Sequence, residues 1–174
     1  ISQASSEQIE EALAMIGQSS VDVIYLVDSY GSLYPETAGA LAKKYLEIGE
    51  KYGKAIGFHA HNNQNLAFAN TIETLSYGVS YLDATAAGMG RGAGNCAMEL
   101  LLGFLKNPKY NLYSLLTFLE NYMIPLKESG VKWGYEVQYM LTGQLNRHPR
   151  EAMAFTAENR TDYCEFYKSL LDNF

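Results

Sequence analysis

Cysteine, clustered basic residues and long apolar runs are all scarce in this sequence of 174 residues. Its two cysteines, Cys96 and Cys164, cannot build a disulfide framework, so we expect a reducing, cytoplasmic setting. No apolar run approaches the roughly 18 residues that a membrane span needs, so we expect no membrane partner. The formal net charge of −6 and the lack of a Lys/Arg cluster argue against a nucleic-acid partner.

The overall composition is typical of a folded globular protein, since 48% of the residues are hydrophobic and 18% are charged. The first residues, ISQASSEQIEEAL, read as the end of one element followed by a helix whose N-cap is Ser5 or Ser6. We therefore expect the chain to be part of a longer protein.

Strand-like and helix-like segments alternate over the first two-thirds of the chain. Short β-branched and aromatic runs predict three strands, over 21–27, 55–61 and 79–85. Helical patterns lie before, between and after them, over 5–18, 35–52, 66–76 and 97–105. This alternation predicts an α/β fold with a parallel sheet. From Tyr110 onward the pattern is helical throughout, which divides the chain into an α/β part over 1–106 and a helical region over 107–174.

Polar residues follow each predicted strand, at the end where ligand sites lie in parallel α/β folds. His59 and His61 end the second strand, in the segment GFHAHNNQNLAFAN. Residues i and i+2 of a strand point to the same face, so both imidazoles should project toward one spot. Two neutral imidazoles suit a divalent metal that takes further ligands from elsewhere. The alternative is that one ring is merely hydrogen-bonded and the other is exposed.

Two aspartates lie at the ends of the outer predicted strands, Asp28 after the first and Asp83 within the last residues of the third. Each carboxylate has three roles open to it: a metal ligand, a hydrogen-bond partner of a ligating histidine, or a capping group. The residue type alone does not separate these roles.

A glycine-rich loop, AAGMGRGAGN, spans 86–95 between the third strand and the next predicted helix. Backbone N–H groups in such a loop can approach an anion. The spacing matches neither a phosphate-binding P-loop nor a dinucleotide fingerprint. Arg91 is expected either to contact a carboxylate or phosphate or to be solvated, and Asn95 to lie at or near the helix N-cap. Cys96, at the expected helix start, is a weaker candidate for a nucleophile.

Two segments together resemble a known superfamily: DVIYLVDSYGSLYPE and GFHAHNNQNLAFANTIETLSYGVSYLDATAAGMGRGAGN. They are similar to the second half of the DRE-TIM metallolyase barrels, which include 3-hydroxy-3-methylglutaryl-CoA (HMG-CoA) lyase and the isopropylmalate and homocitrate synthases. The HAHNN and GMGRGAGN forms, and the later stretch WGYEVQYMLTGQLNRHP, resemble most the metal-dependent pyruvate aldolases of the 4-hydroxy-2-oxovalerate aldolase branch.

The resemblance implies a metal site. His59, His61 and Asn95 match the superfamily's metal-binding positions, and the metal would be Mn²⁺ or Mg²⁺, with Zn²⁺ as the alternative. Asp28 matches a strand-end acid that lines the catalytic site.

The resemblance also implies how a 2-oxo acid would be bound. Gly90, Arg91 and Gly92 belong to the loop whose backbone N–H groups would bind the substrate carboxylate. Tyr135 or Tyr139 matches a catalytic tyrosine near the substrate pocket of the aldolases, with Tyr135 taken as the first candidate.

The fold implied by the resemblance is a partial TIM (β/α)8 barrel with about strands six to eight, followed by a C-terminal helical region. A complete barrel needs about 250 residues. The Arg-Asp motif of the superfamily's first strand, which supplies a metal ligand and the arginine that stabilises the enolate, is absent from this sequence. We therefore expect the chain to need a missing N-terminal half and to be inactive alone.

The reaction implied is cleavage of a 4-hydroxy-2-oxo acid to pyruvate and an aldehyde through a metal-stabilised enolate. The related aldolases pair with an acylating aldehyde dehydrogenase, which is the expected protein partner beside a homo-oligomer. One alternative is a Claisen-type acyltransferase of the isopropylmalate or homocitrate synthase kind. Against it, Asn62 follows the second histidine where those synthases tend to have Asp. The other alternative is a non-catalytic barrel fragment that binds a 2-oxo acid.

Overall fold

The first two-thirds of the chain form a parallel sheet covered by helices, in a computed structural model that describes Ile1 and residues 3–172. The strands, in the spatial order β1–β2–β3, are β1 (Val23–Asp28), β2 (Ala55–Ala60) and β3 (Tyr81–Leu82). The helices of this part are α1 (Ser6–Gly17), α2 (Pro35–Tyr52), α3 (Ala67–Ser76) and α4 (Met98–Leu105). Both strand pairs are parallel, which confirms the predicted α/β class.

Local sequence signals explain where the first two long helices begin and end. Ser5 caps α1, because its side chain accepts a hydrogen bond from the Gln8 backbone while the Gln8 side chain binds the Ser5 backbone. Pro35 begins α2, where its missing N–H costs nothing. Gly53 ends α2 with a left-handed φ of 66°, a conformation that glycine adopts without strain.

The two faces of the sheet have different surroundings. One face is buried against the helices, through the side chains of Ile24, Leu26, Ile56, Phe58 and Ala60. The other face carries Tyr25, Gly57 and Tyr81, which are paired side by side across the three strands. The two tyrosines remain 36% and 48% exposed, so no described helix covers this face. The face that holds the histidines is therefore open within the described residues.

The third strand is shorter than predicted, because Tyr81–Leu82 alone forms β3 and the predicted range of 79–85 was wrong at both ends. The Asp83 N–H still donates to the carbonyl of Phe58. Beyond it the backbone leaves the sheet, and Thr85 pairs with Ala97 across the glycine-rich loop. Thr85 therefore bonds to Cys96 and Met98, just after the loop, and does not extend the pairing with β2.

The last third of the chain is helical, as predicted. Its helices are α5 (Leu112–Phe118), a π-helical turn (Leu119–Met123), α6 (Ile124–Glu128), α7 (Val137–Gln144), α8 (Arg150–Ala157) and α9 (Tyr163–Asp172). Over the described residues, no helix combines the length and the apolar character that a membrane crossing demands.

Two small clusters connect these helices to one another and to the sheet part. Phe155, Phe166 and Leu170 pack between α8 and α9. Tyr139 and Ala152 pack against Ala93, which anchors the C-terminal helices on the glycine-rich loop. The division into 1–106 and 107–174 stays a prediction, and residues 173 and 174 of the second range lie outside the described residues. The assignment of the strands to positions six to eight of a barrel likewise stays a prediction.

Leu26 provides a test of the buried face. Its side chain is fully buried in the main core, so Leu26→Ala should lower the free energy of unfolding by about 2–5 kcal/mol in urea denaturation. Leu100 is 53% exposed, and Leu100→Ala should change it by no more than about 0.5 kcal/mol. Equal losses in the two variants would contradict the assignment of this sheet face to the core.

Candidate metal centre at the strand ends

The two histidines of β2 lie side by side at its carboxyl end. His59 is within the strand and His61 follows it, and their ring centroids are 5.0 Å apart with an edge-to-face interplanar angle of 77°. Strand alternation places both side chains on the open face, as the sequence predicted. Both rings are half-buried.

Each ring is held through its Nδ1 atom by an oxygen from a neighbouring segment. His59 Nδ1 lies 3.0 Å from Oδ2 of Asp83, and His61 Nδ1 lies 2.9 Å from the backbone carbonyl oxygen of Asp28. A carbonyl oxygen can only accept, so His61 carries its proton on Nδ1 and has a lone pair on Nε2. The alternative of one bonded and one exposed ring is wrong, because both rings are bonded and neither is exposed.

Burial is the largest influence on the His61 ring and lowers its pKa. The charges of His59 and Arg91 lower the pKa further, against the opposing effect of the Asp28 carbonyl. The ring is therefore neutral at neutral pH, which is the state that binds a metal.

Asn95 is brought to the histidines by the glycine-rich loop. It forms an isolated antiparallel bridge with His61, and the neighbouring Gly94 carbonyl accepts the Asn62 N–H at 2.9 Å. The Asn95 side-chain amide donates to the Met89 carbonyl at 3.0 Å, which leaves its oxygen as the group that can bind a cation. Asn95 lies near the start of α4, as expected, but does not cap it, because the N-cap of α4 is Ala97.

Asp28 is fully buried, and its carboxylate is bonded to the loop that leads into α2, while the charge of His61 also acts on it. The two carboxylate oxygens accept the backbone N–H groups of Ser32 at 3.0 Å and Leu33 at 3.2 Å. Burial raises the Asp28 pKa, while these hydrogen bonds act in the opposite direction. The carboxylate thus holds the loop backbone and does not cap α2, whose N-cap is Tyr34, and the catalytic role of Asp28 stays a prediction.

The glycines of the loop permit two close approaches. A Cβ atom on Gly90 would lie 2.6 Å from the Asn95 side-chain nitrogen, and one on Gly92 would lie 2.5 Å from the Tyr139 ring. Gly92 also has a left-handed φ of 58°. Side chains at these positions would push Asn95 and Tyr139 away from the loop.

Arg91 is exposed between these glycines, and its charge acts on both His61 and Tyr139. Within the described part of the chain it has no ion-pair partner. In the same part, the backbone N–H groups of Gly90, Arg91 and Gly92 have no intramolecular acceptor. The loop therefore offers a free guanidinium group and free N–H donors beside the imidazoles, which suits an anion.

The two candidate tyrosines differ in position. Tyr139 is buried against Gly92, and burial is the main reason that its pKa is raised. Tyr135 is 53% exposed and lines a shallow hollow with Trp133. The structure thus brings Tyr139 to the loop, whereas the catalytic role of Tyr135 stays a prediction.

Sequence reasoning missed two residues that hold the loop in place. The Asn63 side chain donates to the Tyr139 carbonyl at 3.2 Å, and the Trp133 indole donates to the Ala87 carbonyl at 2.9 Å. The polar run HNNQN was a signal for Asn63, but nothing local pointed to Trp133. Cys96 is not a reactive nucleophile, because it is buried and burial raises the pKa of its thiol.

The donors at this centre fit a divalent cation in part. They are two imidazole nitrogens and an amide oxygen, a mixture that suits Zn²⁺ and, with further oxygen ligands, Mn²⁺ or Mg²⁺. Throughout residues 1 and 3–172, no group of three His, Cys, Asp or Glu side chains is placed to hold a metal. A cation here would take its remaining ligands from water, substrate or other polypeptide.

The fold and the site define a parallel α/β protein with a candidate metal centre at the carboxyl ends of its strands. Residues 1–120 match the family model described as HMGL-like, so the chain belongs to the HMGL-like family. This confirms the resemblance to the DRE-TIM superfamily that the motifs indicated.

Two curated relatives agree with this family, and a solved structure has a similar fold. The chain is 40% identical over 121 residues to a 4-hydroxy-2-oxovalerate aldolase of Thermus thermophilus, a match that covers 67% of this chain and 34% of the aldolase. It is 40% identical over 101 residues to an oxaloacetate decarboxylase of Mycobacterium tuberculosis, covering 55% of this chain and 29% of that enzyme. The HMG-CoA lyase of Bacillus subtilis has a similar fold, with a TM-score of 0.63 at 21% identity over 73% of this chain and 45% of the lyase. The chain thus spans about a third of the length of these curated relatives.

Gly94 tests how tightly the loop is built. It has a φ of 81°, and a Cβ atom there would overlap the Gly88 carbonyl oxygen, so Gly94→Ala should lower the free energy of unfolding by more than about 2 kcal/mol. Gly103 lies in α4, and a methyl group on it would have no described atom within 4 Å, so Gly103→Ala should raise the free energy of unfolding by up to about 1 kcal/mol. Thermal unfolding of both variants measures these changes. A Gly94→Ala variant as stable as the unchanged protein would contradict the loop geometry.

Proposed function

We propose that the chain forms part of a divalent-metal-dependent aldolase that cleaves a 4-hydroxy-2-oxo acid to pyruvate and an aldehyde. The observation that carries the proposal is the pair of imidazoles at the end of β2, with both Nδ1 atoms bonded, next to the amide of Asn95. The names of the relatives support the substrate class, since one acts on a 4-hydroxy-2-oxo acid and another on oxaloacetate, itself a 2-oxo acid.

In this proposal His59, His61 and Asn95 hold the cation. A divalent cation, when bound, supplies a Lewis acid for the ketone oxygen of the substrate. The chain's own contribution is to present neutral donors in a fixed arrangement, because each ring is restrained by a neighbouring oxygen and the amide by the Met89 carbonyl.

The glycine-rich loop binds the substrate carboxylate. The free N–H groups of residues 90–92 and the guanidinium of Arg91 are the donors. The chain carries a formal net charge of −6, yet Arg91 has no ion-pair partner among the described residues. Its unpaired positive charge favours binding of an anion at this loop. Tyr139 packs against Gly92 and so restrains the position of the loop.

Turnover should need more polypeptide than these residues. Among the described residues no group of three His, Cys, Asp or Glu side chains is placed to hold a metal, since the Asp28 carboxylate is bonded to its own loop and Asp83 to His59 Nδ1. We propose that β1–β3 correspond to strands six to eight of a barrel and that the chain alone is inactive. A homo-oligomer, an acylating aldehyde dehydrogenase partner and a cytoplasmic location belong to the same proposal.

Metal binding can be tested on the chain itself. His59→Ala and His61→Ala should each weaken Mn²⁺ binding by about a hundredfold or more, since each removes a ligand, as measured by calorimetry or by the Mn²⁺ spin-resonance signal. His148→Ala is the matched control, because this third histidine contacts Tyr30 and not the pair. Equal Mn²⁺ affinity in all three variants would refute the metal centre.

Turnover can be tested in a chimera. The matching third of the Thermus thermophilus aldolase is replaced by the 121 aligned residues of this chain, and pyruvate release from 4-hydroxy-2-oxopentanoate is followed with lactate dehydrogenase. We expect pyruvate from the chimera, none from its His59→Ala form, and none from the chain alone. Condensation with acetyl-CoA would favour the acyltransferase, and metal and pyruvate binding without turnover would favour the binding fragment.

A further inference from the structure

Three polar side chains lie in a row across the open face of the sheet, one from each strand or its end. Tyr25 comes from β1, His59 from β2, and Asp83 from the residue that follows β3. The Asp83 carboxylate lies 3.0 Å from His59 Nδ1, and its charge also acts on the Tyr25 hydroxyl. The proposed function uses His59 alone of the three.

Gly57 makes this row possible. It pairs with Tyr25 on one side and with Tyr81 on the other, and a Cβ atom on it would lie 2.5 Å from the Tyr25 ring. Because Gly57 has no side chain, the Tyr25 ring lies over β2, close enough to Asp83 for the carboxylate charge to act on its hydroxyl. The pKa of Tyr25 is raised, first by burial and then by the charge of Asp83.

The chemistry of the row fixes the direction of each hydrogen bond. An ionised carboxylate has only acceptors, so the atom of His59 that faces Asp83 must carry the ring proton. Neutral imidazole has one proton, and a proton on Nδ1 leaves the lone pair on Nε2. The partner of Nδ1 thus decides which nitrogen is available on the other side of the ring.

We propose that Asp83 is a positioning residue that holds His59 in the Nδ1–H tautomer and so presents Nε2 to the cation. The role of Asp83 in cation binding rests on the proposed function, whereas the tautomer of His59 can be tested without it. In this role Asp83 acts through His59, because its Oδ2 is bonded to His59 Nδ1. The Asp28 carbonyl has the same effect on His61, through a backbone atom that no substitution removes.

The decisive experiment reads the tautomer directly. Long-range ¹H–¹⁵N spectra of the metal-free chain, recorded at mildly alkaline pH, assign the protonated nitrogen of each histidine. We expect Nδ1–H at both His59 and His61 in the unchanged chain. In Asp83→Ala, His59 should lose this preference and populate Nε2–H, while His61 keeps Nδ1–H. A His59 that stays in the Nδ1–H form, or a parallel change in both rings, would overturn the proposal.

Matched variants separate positioning from general damage. Asp83→Asn keeps an acceptor oxygen and should restore most of the Nδ1–H population. Tyr25→Phe should shift it less than Asp83→Ala does, and Tyr81→Phe, on the other side of Gly57, should leave it unchanged. Asp22→Ala removes a carboxylate at the opposite end of β1 and controls for the lost charge. An effect of Asp22→Ala as large as that of Asp83→Ala would overturn the proposal.

Mn²⁺ titration of the same variants gives a second measurement. Asp83→Ala should weaken binding by about 10–100-fold, as expected for loss of the carboxylate partner of a ligating histidine, and Asp83→Asn by less. Unchanged affinity in Asp83→Ala would overturn the proposed presentation of Nε2. If the chain without substitutions binds no Mn²⁺, the proposed function is refuted. The tautomer of His59 would then still test the role of Asp83.

Discussion

The position of β2 between two parallel neighbours is the constraint on which the rest of the structure depends. Its alternate residues are divided between a buried face, with Ile56 and Phe58, and an open face, with Gly57 and His59. A shift of one residue in this pairing would turn both imidazoles into the core and the aromatic ring into solvent. Burial of Phe58 in the core therefore fixes the histidines on the opposite face of the sheet, although Phe58 itself is not part of the candidate site.

The candidate site is assembled from backbone as much as from side chains. The Asp28 carbonyl holds His61, the Gly94 carbonyl holds the Asn62 N–H, and Asn95 bridges to His61. These bonds join the end of β1, the end of β2 and the glycine-rich loop, which are far apart in the sequence. A loop with side chains at residues 90, 92 and 94 could not approach so closely, so the glycines contribute to the site by what they lack.

Sequence patterns predicted the elements whose signals are local. Pro35 and Gly53 mark the two ends of α2, and the HxH spacing placed two imidazoles on one face. Sequence patterns gave a wrong strand boundary where distant segments compete for the same backbone groups. Thr85 is a residue type that favours strands, but it pairs with Ala97 and not with β2, so β3 ends early. The family followed from motifs that the comparison with known proteins confirmed.

The sequence by itself determined that His59 and His61 share a face, because strand periodicity is a property of the backbone alone. It could not assign different roles to Asp28 and Asp83, which are the same residue type at the same kind of position. Tertiary structure decided that, by bringing His61 to a carbonyl 33 residues away and His59 to a carboxylate 24 residues away. The pairing of each histidine nitrogen with its oxygen depends on how the strands and the loop pack against one another, and no local sequence pattern specifies that packing.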